Sequence, residues 1–392
     1  MDYILIFAIV ILFLKSSLLV KSLYGLNKMK NLSDYQPASS QDLPLVSIIV
    51  PACNEEQTIE EALRSLLDLD YENLELIVVN DRSIDDTGGV IRRIMGEHGR
   101  IKLHTVAELP EGWLGKCNAQ HQGALMAQGE YLLFTDADII MEKSTIRRAV
   151  AAMQRDGLDH LSLFFKNLAP GGLLNAMVLD FGGGLMVLFT PWKVSEPKSR
   201  SFMGVGAFNM VKRSVYQAIG GHESIKMHPI DDVMLGKKIK QNGYHQECLL
   251  GFDFVAVHWY ETPLAMINGL MKNMFAVFRF RLAPAMMAVV LIFLINIMPL
   301  WGAVFAQGTA QQLFIASMVM HCLAFVQGGR AMGVVVGNFL YSLLTPYITI
   351  FIVLRATFVT LKNGGINWRG THYPLEQLRK NEPILTWRDL LG

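Results

Sequence analysis

Two carboxylates one residue apart, Asp136 and Asp138, end the stretch Gly129-Glu-Tyr-Leu-Leu-Phe-Thr-Asp-Ala-Asp. Residues 131–135 are apolar, aromatic and β-branched, which predicts a short buried strand. The carboxylates then stand where a parallel strand ends, the edge at which open α/β sheets bind ligands. Side chains two apart on an extended segment point the same way, so both can face one site. Hard oxygen ligands on a short, rigid segment suit Mg²⁺ or Mn²⁺, which keeps waters and takes further ligands from substrate phosphates. Asp-x-Asp alone is a weak signal, expected by chance about once in a chain of this size. Asp68-Leu-Asp70 reads as that accident. The place after a buried strand is what sets a metal–phosphate site at Asp136 and Asp138 level with a solvated turn.

The remaining chain must position those residues. Of 392 residues 52% are hydrophobic, yet long polar stretches separate the apolar ones. That mixture predicts a soluble domain joined to membrane segments. A net charge of +1, with no basic run interleaved with aromatics, gives no support to nucleic-acid binding. Cys53, Cys117, Cys248 and Cys322 are widely spaced and fit packing roles in a reducing compartment.

Residues 1–24 read as a transmembrane anchor, with Lys15 near one end and snorkelling. A signal peptide fits less well, because Asp2 stands where its basic start should be. Lys15, Lys21, Lys28 and Lys30 follow the apolar run, which puts the next residues in the cytoplasm. Residues 25–43, with Pro37, Ser39 and Ser40, read as a linker.

From 44 to 281 strands and helices alternate. Strands are predicted over 45–50, 74–80, 101–106 and 131–135, with helices opening at Asn54-Glu55-Glu56 and spanning 116–128. Four such units predict a parallel, doubly wound α/β sheet. No GxGxxG or GxxxxGK[ST] follows a strand, and carboxylates end the second and fourth instead, which disfavours a dehydrogenase. Residues 168–190 carry five glycines and Asp180 and read as an interfacial segment within this domain. Further strands are expected over 204–210 and 252–257, and Asp231-Asp232 suits a helix N-terminus. Residues 282–361 form a C-terminal transmembrane region with apolar runs at 282–306, 313–326 and 331–361, followed by a basic tail, 362–392.

The segments VSIIVPACNEEQTIEEALRSLL, LELIVVNDRSIDDTG and GEYLLFTDAD strongly resemble the family 2 glycosyltransferases of GT-A fold. GWLGKCNA (112–119), Asp231-Asp232 and NWRGTHYPL (367–375) look like the membrane-bound lipid glycosyltransferases, among them ceramide glucosyltransferases and hopanoid- and carotenoid-associated enzymes. The resemblance covers residues 44–280 well and the tail moderately. It implies a Rossmann-like mixed sheet, the nucleotide-diphospho-sugar transferase fold, between N- and C-terminal transmembrane helices. It also implies a nucleotide-sugar donor (UDP-sugar ahead of GDP-sugar) and a divalent metal, Mg²⁺ or Mn²⁺.

Carried over by position, Pro51, Asn54 and Glu55 resemble the loop contacting base and ribose, and Asp81 the acid that bonds the nucleobase or ribose. Asp136 resembles the residue reaching ribose, donor sugar or metal, and Asp138 the metal ligand. Lys116 is placed to neutralise the diphosphate, a suitable task for an ammonium. Asp232 resembles the general base, with Asp231 the alternative. The family's Gln-x-x-Arg-Trp motif is missing near Gly269-Leu-Met-Lys272-Asn273, which argues against a processive synthase. Arg279 and Arg281, like Lys272, suit interface snorkelling better than phosphate binding. His258 reads equally as a metal or diphosphate ligand and as a packed histidine.

The resulting expectation is an inverting, integral-membrane glycosyltransferase of the bacterial plasma membrane, its catalytic domain cytoplasmic. Its acceptor is a lipid of isoprenoid, carotenoid, sterol-like or sphingolipid-like type. A polysaccharide or polyprenyl-phosphate sugar synthase is the rival enzyme. A catalytically inactive membrane scaffold is the rival from another class, disfavoured by the presence together of Asp81, Asp136, Asp138 and Asp232. Three spans after the domain would put the basic tail outside, against the positive-inside rule. Residues 331–361, long and interrupted by Pro346, are therefore expected to enter and leave one leaflet, keeping Trp368 and Arg369 cytoplasmic.

Overall fold

Runs of valine, isoleucine and leucine ended by aspartate, asparagine or glycine set the strands. In chain order these are β1 (Val46–Ala52), β2 (Leu74–Asp81), β3 (Ile101–Val106), β4 (Tyr131–Phe134), β5 (Ile139–Met141) and β6 (His160–Phe164). There follow β7 (Lys166–Asn167), β8 (Asn209–Lys212), β9 (Gln246–Leu250), β10 (Val255–Val257), β11 (Gly365–Trp368) and β12 (Thr371–Pro374). The computed structural model describes residues 3–39, 43–332 and 339–385. They form two units: Met29–Leu168, Pro191–Trp259 and the chain from Asn367 make one, and Met1–Lys28, Ala169–Thr190 and Tyr260–Ile366 the other.

The first unit is built on a seven-stranded sheet of order β3-β2-β1-β4-β8-β6-β9. Strands β1 to β4 pair in parallel, β8 runs antiparallel to both β4 and β6, and β6 is parallel to β9. The sheet is therefore mixed. Ile48, Ile49, Val78, Leu132 and Leu133 are fully buried, as continuous apolar strands covered on both faces must be. Chain order reverses at β1, which lies between β2 and β4. Pairing of Ala52 with Asn80 and of Ile49 with Phe134 brings Asn54, Asp81 and Asp136 to one sheet edge.

Several expectations are corrected here. The helix after β1 begins at Ile59, not at Asn54, whose φ of +57° is left-handed. Residues 204–208 are not strand, because a side chain at Gly204 would meet the Asp232 carbonyl oxygen at 1.9 Å. The loop is kept open for that close approach, and pairing starts only at Asn209. Strands β6 and β9 were unforeseen. Gln246 and Glu247 of β9 are polar yet buried, so their apolar signal was missing. The predicted linker 25–43 is no spacer. The first helix runs to Lys28, Leu32 and Tyr35 are buried, and the Lys30 carbonyl accepts from Leu250 N–H. Asp156 fastens this segment by accepting from Tyr35 Oη at 2.6 Å and Lys30 Nζ at 2.8 Å.

Tyr3–Lys28, Gly172–Lys193, Leu282–Phe305, Gly308–Ala331 and Thr345–Lys362 are five helices long and apolar enough to cross a membrane, and all but Pro191–Lys193 lie in the second unit. The glycines expected to break 168–190 leave a continuous helix over Gly172–Phe189. Residues 260–281, assigned to the catalytic domain by sequence, group with these helices. Lys15 does not snorkel: it is buried midway along its helix, with Nζ 2.6 Å from Asn296 Oδ1 and 3.2 Å from His321 Nδ1. An ammonium within hydrocarbon needs such partners. Asn296 reaches it from a π-helical turn, Phe293–Ile297. The other ring nitrogen, His321 Nε2, lies 3.1 Å from the Ser342 carbonyl, which puts Ser342 level with the middle of Gly308–Ala331. Pro346 lies in the first turn of Thr345–Lys362, where its missing N–H goes unused. Within the long run 331–361, residues 333–338 lie outside the described residues.

Candidate active site

The loops after β1 and β2 tie to one another. Asn54 N donates to Ser83 Oγ at 3.1 Å and Asn54 Oδ1 accepts from Ile84 N at 2.8 Å. Glu55 N donates to Thr87 Oγ1 at 2.8 Å. Pro51 lies within β1 beside Val79. Asp81 is buried at the end of β2 and takes a bidentate bond from Arg82, at 2.8 Å from Nε and 3.0 Å from Nη2. Gly115 opens the helix Gly115–Met126, and a Cβ there would stand 2.4 Å from Asp81 Oδ2. Only glycine lets the helix come so close.

The next residue, Lys116, crosses to the carboxylates after β4. Its Nζ is 2.6 Å from Asp136 Oδ1 and 3.7 Å from Asp231 Oδ2. Burial opposes the charge, but Asp136, Asp231 and Asp232 outweigh it and hold the ammonium well above its ordinary pKa. Asp138 is pushed the other way for a carboxylate. Burial, then Asp136 and Glu55, raise it well above the usual range. Glu55 is raised by burial too, against the pull of Arg369.

Asp231 and Asp232 open the helix Asp231–Gln241 and take different places. Asp231 is 3% exposed and faces Lys116. Asp232 is only partly buried, accepting from Gly206 N at 2.8 Å and Val233 N at 2.9 Å. Gly206 also accepts from Asp136 N–H through its carbonyl, at 3.2 Å. A Cβ on Gly206 would stand 2.8 Å from Asp136 Oδ2 and 3.3 Å from Asp232 Oδ2. The glycine is thus the spacer between two carboxylates. Sequence reasoning missed it, although a Gly-x-Gly inside a presumed strand signals close backbone approach. Gly206→Ala is expected to leave the fold intact and to lower turnover by about 10²-fold through displaced carboxylates. Steady-state rates beside a thermal melt check it; wild-type turnover in the variant would remove Gly206 from this role.

The donor set fits a divalent cation. Among the described residues no three His, Cys, Asp or Glu side chains converge as a complete metal cage. Two Asp carboxylates completed by waters and phosphate oxygens is the habit of Mg²⁺ and Mn²⁺. Lys116 stands as a cation on Asp136, and a second cation would relieve the destabilised carboxylate of Asp138. The β5–β10 register pairs Ile139 with Val257, so exposed His258 follows across from Asp138. Lys272 lies in the apolar unit with Arg279 and Arg281.

The fold is GT-A: a mixed sheet with acidic residues and a lysine gathered where its strand order reverses. Residues 47–220 match glycosyl transferase family 2. A probable glycosyltransferase of Bacillus subtilis, YdaM, is 33% identical over 228 residues, 57% of this chain and 52% of that one. The chain thus spans about half the length of that relative. The 4,4'-diaponeurosporenoate glycosyltransferase of Staphylococcus aureus is 24% identical over 350 residues, 85% of this chain and 89% of that protein. A mannosyltransferase from Pyrobaculum calidifontis, solved with GDP-Man and Mn²⁺, has a TM-score of 0.48 at 20% identity, over 91% of this chain and 98% of that one. That likeness is too loose to bear on substrate. Residues 47–220 thus match glycosyl transferase family 2, and the relatives that the chain resembles are glycosyltransferases.

Proposed function

We propose that the protein transfers a sugar, with inversion, from a nucleotide-sugar to a hydroxyl or carboxyl group of a membrane lipid. The observation that carries this reading is the grouping of Asp136, Lys116 and Asp232 beside the Asn54–Asp81 edge. Asn54, Glu55 and Asp81 hold the nucleoside, a carboxylate accepting from an imide N–H or from hydroxyls. Lys116 faces the diphosphate. Asp136 and Asp138 hold a divalent cation, which when bound offsets the charge of the leaving nucleoside diphosphate. Asp232 takes the acceptor's proton. Its lone pairs are only partly used by Gly206 and Val233, and burial with Asp231 raises it to about 6, a strong base that is still ionised at pH 7. The donor is a UDP-sugar ahead of a GDP-sugar. The five apolar helices and the diaponeurosporenoate named for one relative support a lipid acceptor of carotenoid type.

Membranes containing the protein are incubated with a panel of radiolabelled nucleotide-sugars and extracted for lipid. Label is expected in one lipid product, and to fall by about 10²-fold or more with Asp232→Asn. Label in an aqueous polymer would replace this reading by a polysaccharide synthase, and transfer from no donor by a scaffold.

The same reading puts the catalytic unit and the tail on the cytoplasmic side of a bacterial plasma membrane. The level of Ser342 supports a chain that turns back at mid-depth before Thr345–Lys362. A cysteine at exposed Glu376 is expected to resist an impermeant thiol reagent on intact cells and to react after lysis. Labelling above the wild-type background on intact cells would overturn that topology.

A further inference from the structure

Strands β11 and β12 form a hairpin whose two-residue turn is Arg369-Gly370, with φ of +48° and +78°. Two successive positive φ values define the type I′ turn, in which the first position favours asparagine, aspartate or glycine. An arginine there is strained, and strain of this kind gathers at functional sites. The Arg369 side chain reaches the end of β1: Nη1 donates to the Asn54 carbonyl at 3.2 Å and Nη2 pairs with Glu55. Two more tail residues touch the same edge. Thr371 Oγ1 accepts from Arg82 Nη1 at 3.1 Å, and Tyr373 Oη accepts from Gly115 N at 3.1 Å. Each contact lands on, or next to, a residue given above to the donor: Asn54, Glu55, Asp81 and Lys116.

Stability alone gives this arginine little reason to be there. Its pair with Glu55 is partly exposed, 40% and 21% by side chain, and such pairs contribute little to folding. Glu55 already neighbours the carboxylates of Asp136 and Asp138. A nucleoside diphosphate adds further negative charge at that edge, and a guanidinium is the side chain best shaped to meet it. We infer that Arg369 is a donor-binding residue: the C-terminal hairpin forms a wall of the nucleotide site and presents its guanidinium to the nucleoside diphosphate. Tyr373 and Thr371 position the hairpin. The inference rests on the nucleotide-sugar reading and adds to it a binding element more than 230 residues from Asp136 and Asp138 in the chain.

The test uses full-length protein in detergent, titrated calorimetrically with UDP and, separately, GDP in the presence of Mn²⁺. Wild type is expected to bind at least one of them. Arg369→Ala should bind it about 10- to 100-fold more weakly, the scale of a lost charge-assisted contact. Arg369→Lys should fall between, Lys380→Ala should match wild type, and the Tm of Arg369→Ala should stay within about 2 °C of wild type. Equal affinity of wild type and Arg369→Ala would overturn the inference and leave the donor reading standing. So would an affinity loss that tracks Tm across Arg369→Ala and Arg369→Lys, which marks a clasp and nothing more. Binding of neither nucleotide by wild type would overturn the donor reading, and the inference with it.

Discussion

Replacing Asp138 by asparagine is expected to reduce sugar transfer by about 10³-fold or more, and EDTA should do the same to wild type reversibly. The amide keeps one oxygen ligand but loses the charge. The nearby cation cannot compensate, because Lys116 is already 2.6 Å from Asp136 and within reach of Asp231. Burial and the neighbouring carboxylates of Asp136 and Glu55 disfavour Asp138 as an anion. A divalent ion there would displace the proton that otherwise relieves it, so ion affinity should rise with pH. Calorimetric titration of Mn²⁺ in the presence of UDP gives a readout independent of turnover. Asp138→Asn should show no saturable Mn²⁺ heat. Full activity after exhaustive metal removal would take the ion out of the reaction.

Asp232→Asn should lower kcat by about 10²- to 10⁴-fold while the donor KM changes less than about twofold, because a base acts only as the new bond forms. Asp81→Asn should do the reverse, raising the donor KM with a smaller effect on kcat. The pH dependence has a definite sign. Asp232 is raised to about 6, so its protonated form takes over below that pH, and wild-type kcat should fall there with a slope near one. The residual rate of Asp232→Asn should lack that limb. Loss of donor affinity in Asp232→Asn, with Asp81→Asn unchanged, would exchange the two assignments.

Much of the candidate site's placement at strand and helix ends was legible from local chemistry. Asp81 is the last residue of one apolar strand and Asp136 closely follows another, and the end of a buried strand is a local property of the sequence. Asp231-Asp232 opened a helix as acids should, and the apolar helices followed from composition alone. The seven-stranded sheet contains all four predicted parallel strands in register. Strand β9 escaped because burial of Gln246 and Glu247 is arranged by neighbours distant in sequence, and buried His160 and Ser162 interrupt the apolar signal of β6 in the same way. The Gln246 side-chain oxygen, for one, accepts from Met203 N at 3.1 Å, from 43 residues earlier in the chain. The glycine-rich 168–190 stretch escaped for a related reason: helix propensity is a weak prior that tertiary packing overrides.

What the sequence determined by itself is the set of chemical groups and the strand ends that carry them, since both depend on near neighbours. Which of two adjacent aspartates faces a partner across the site, and which faces Lys116, was decided only by tertiary structure. Gly206 has to sit between Asp136 and Asp232 for that choice to exist, and the two aspartates are 96 residues apart in the chain. The same holds for the hairpin tip. Arg369 meets Glu55 only because the tail packs against the end of β1, a contact across more than 300 residues that no local pattern encodes.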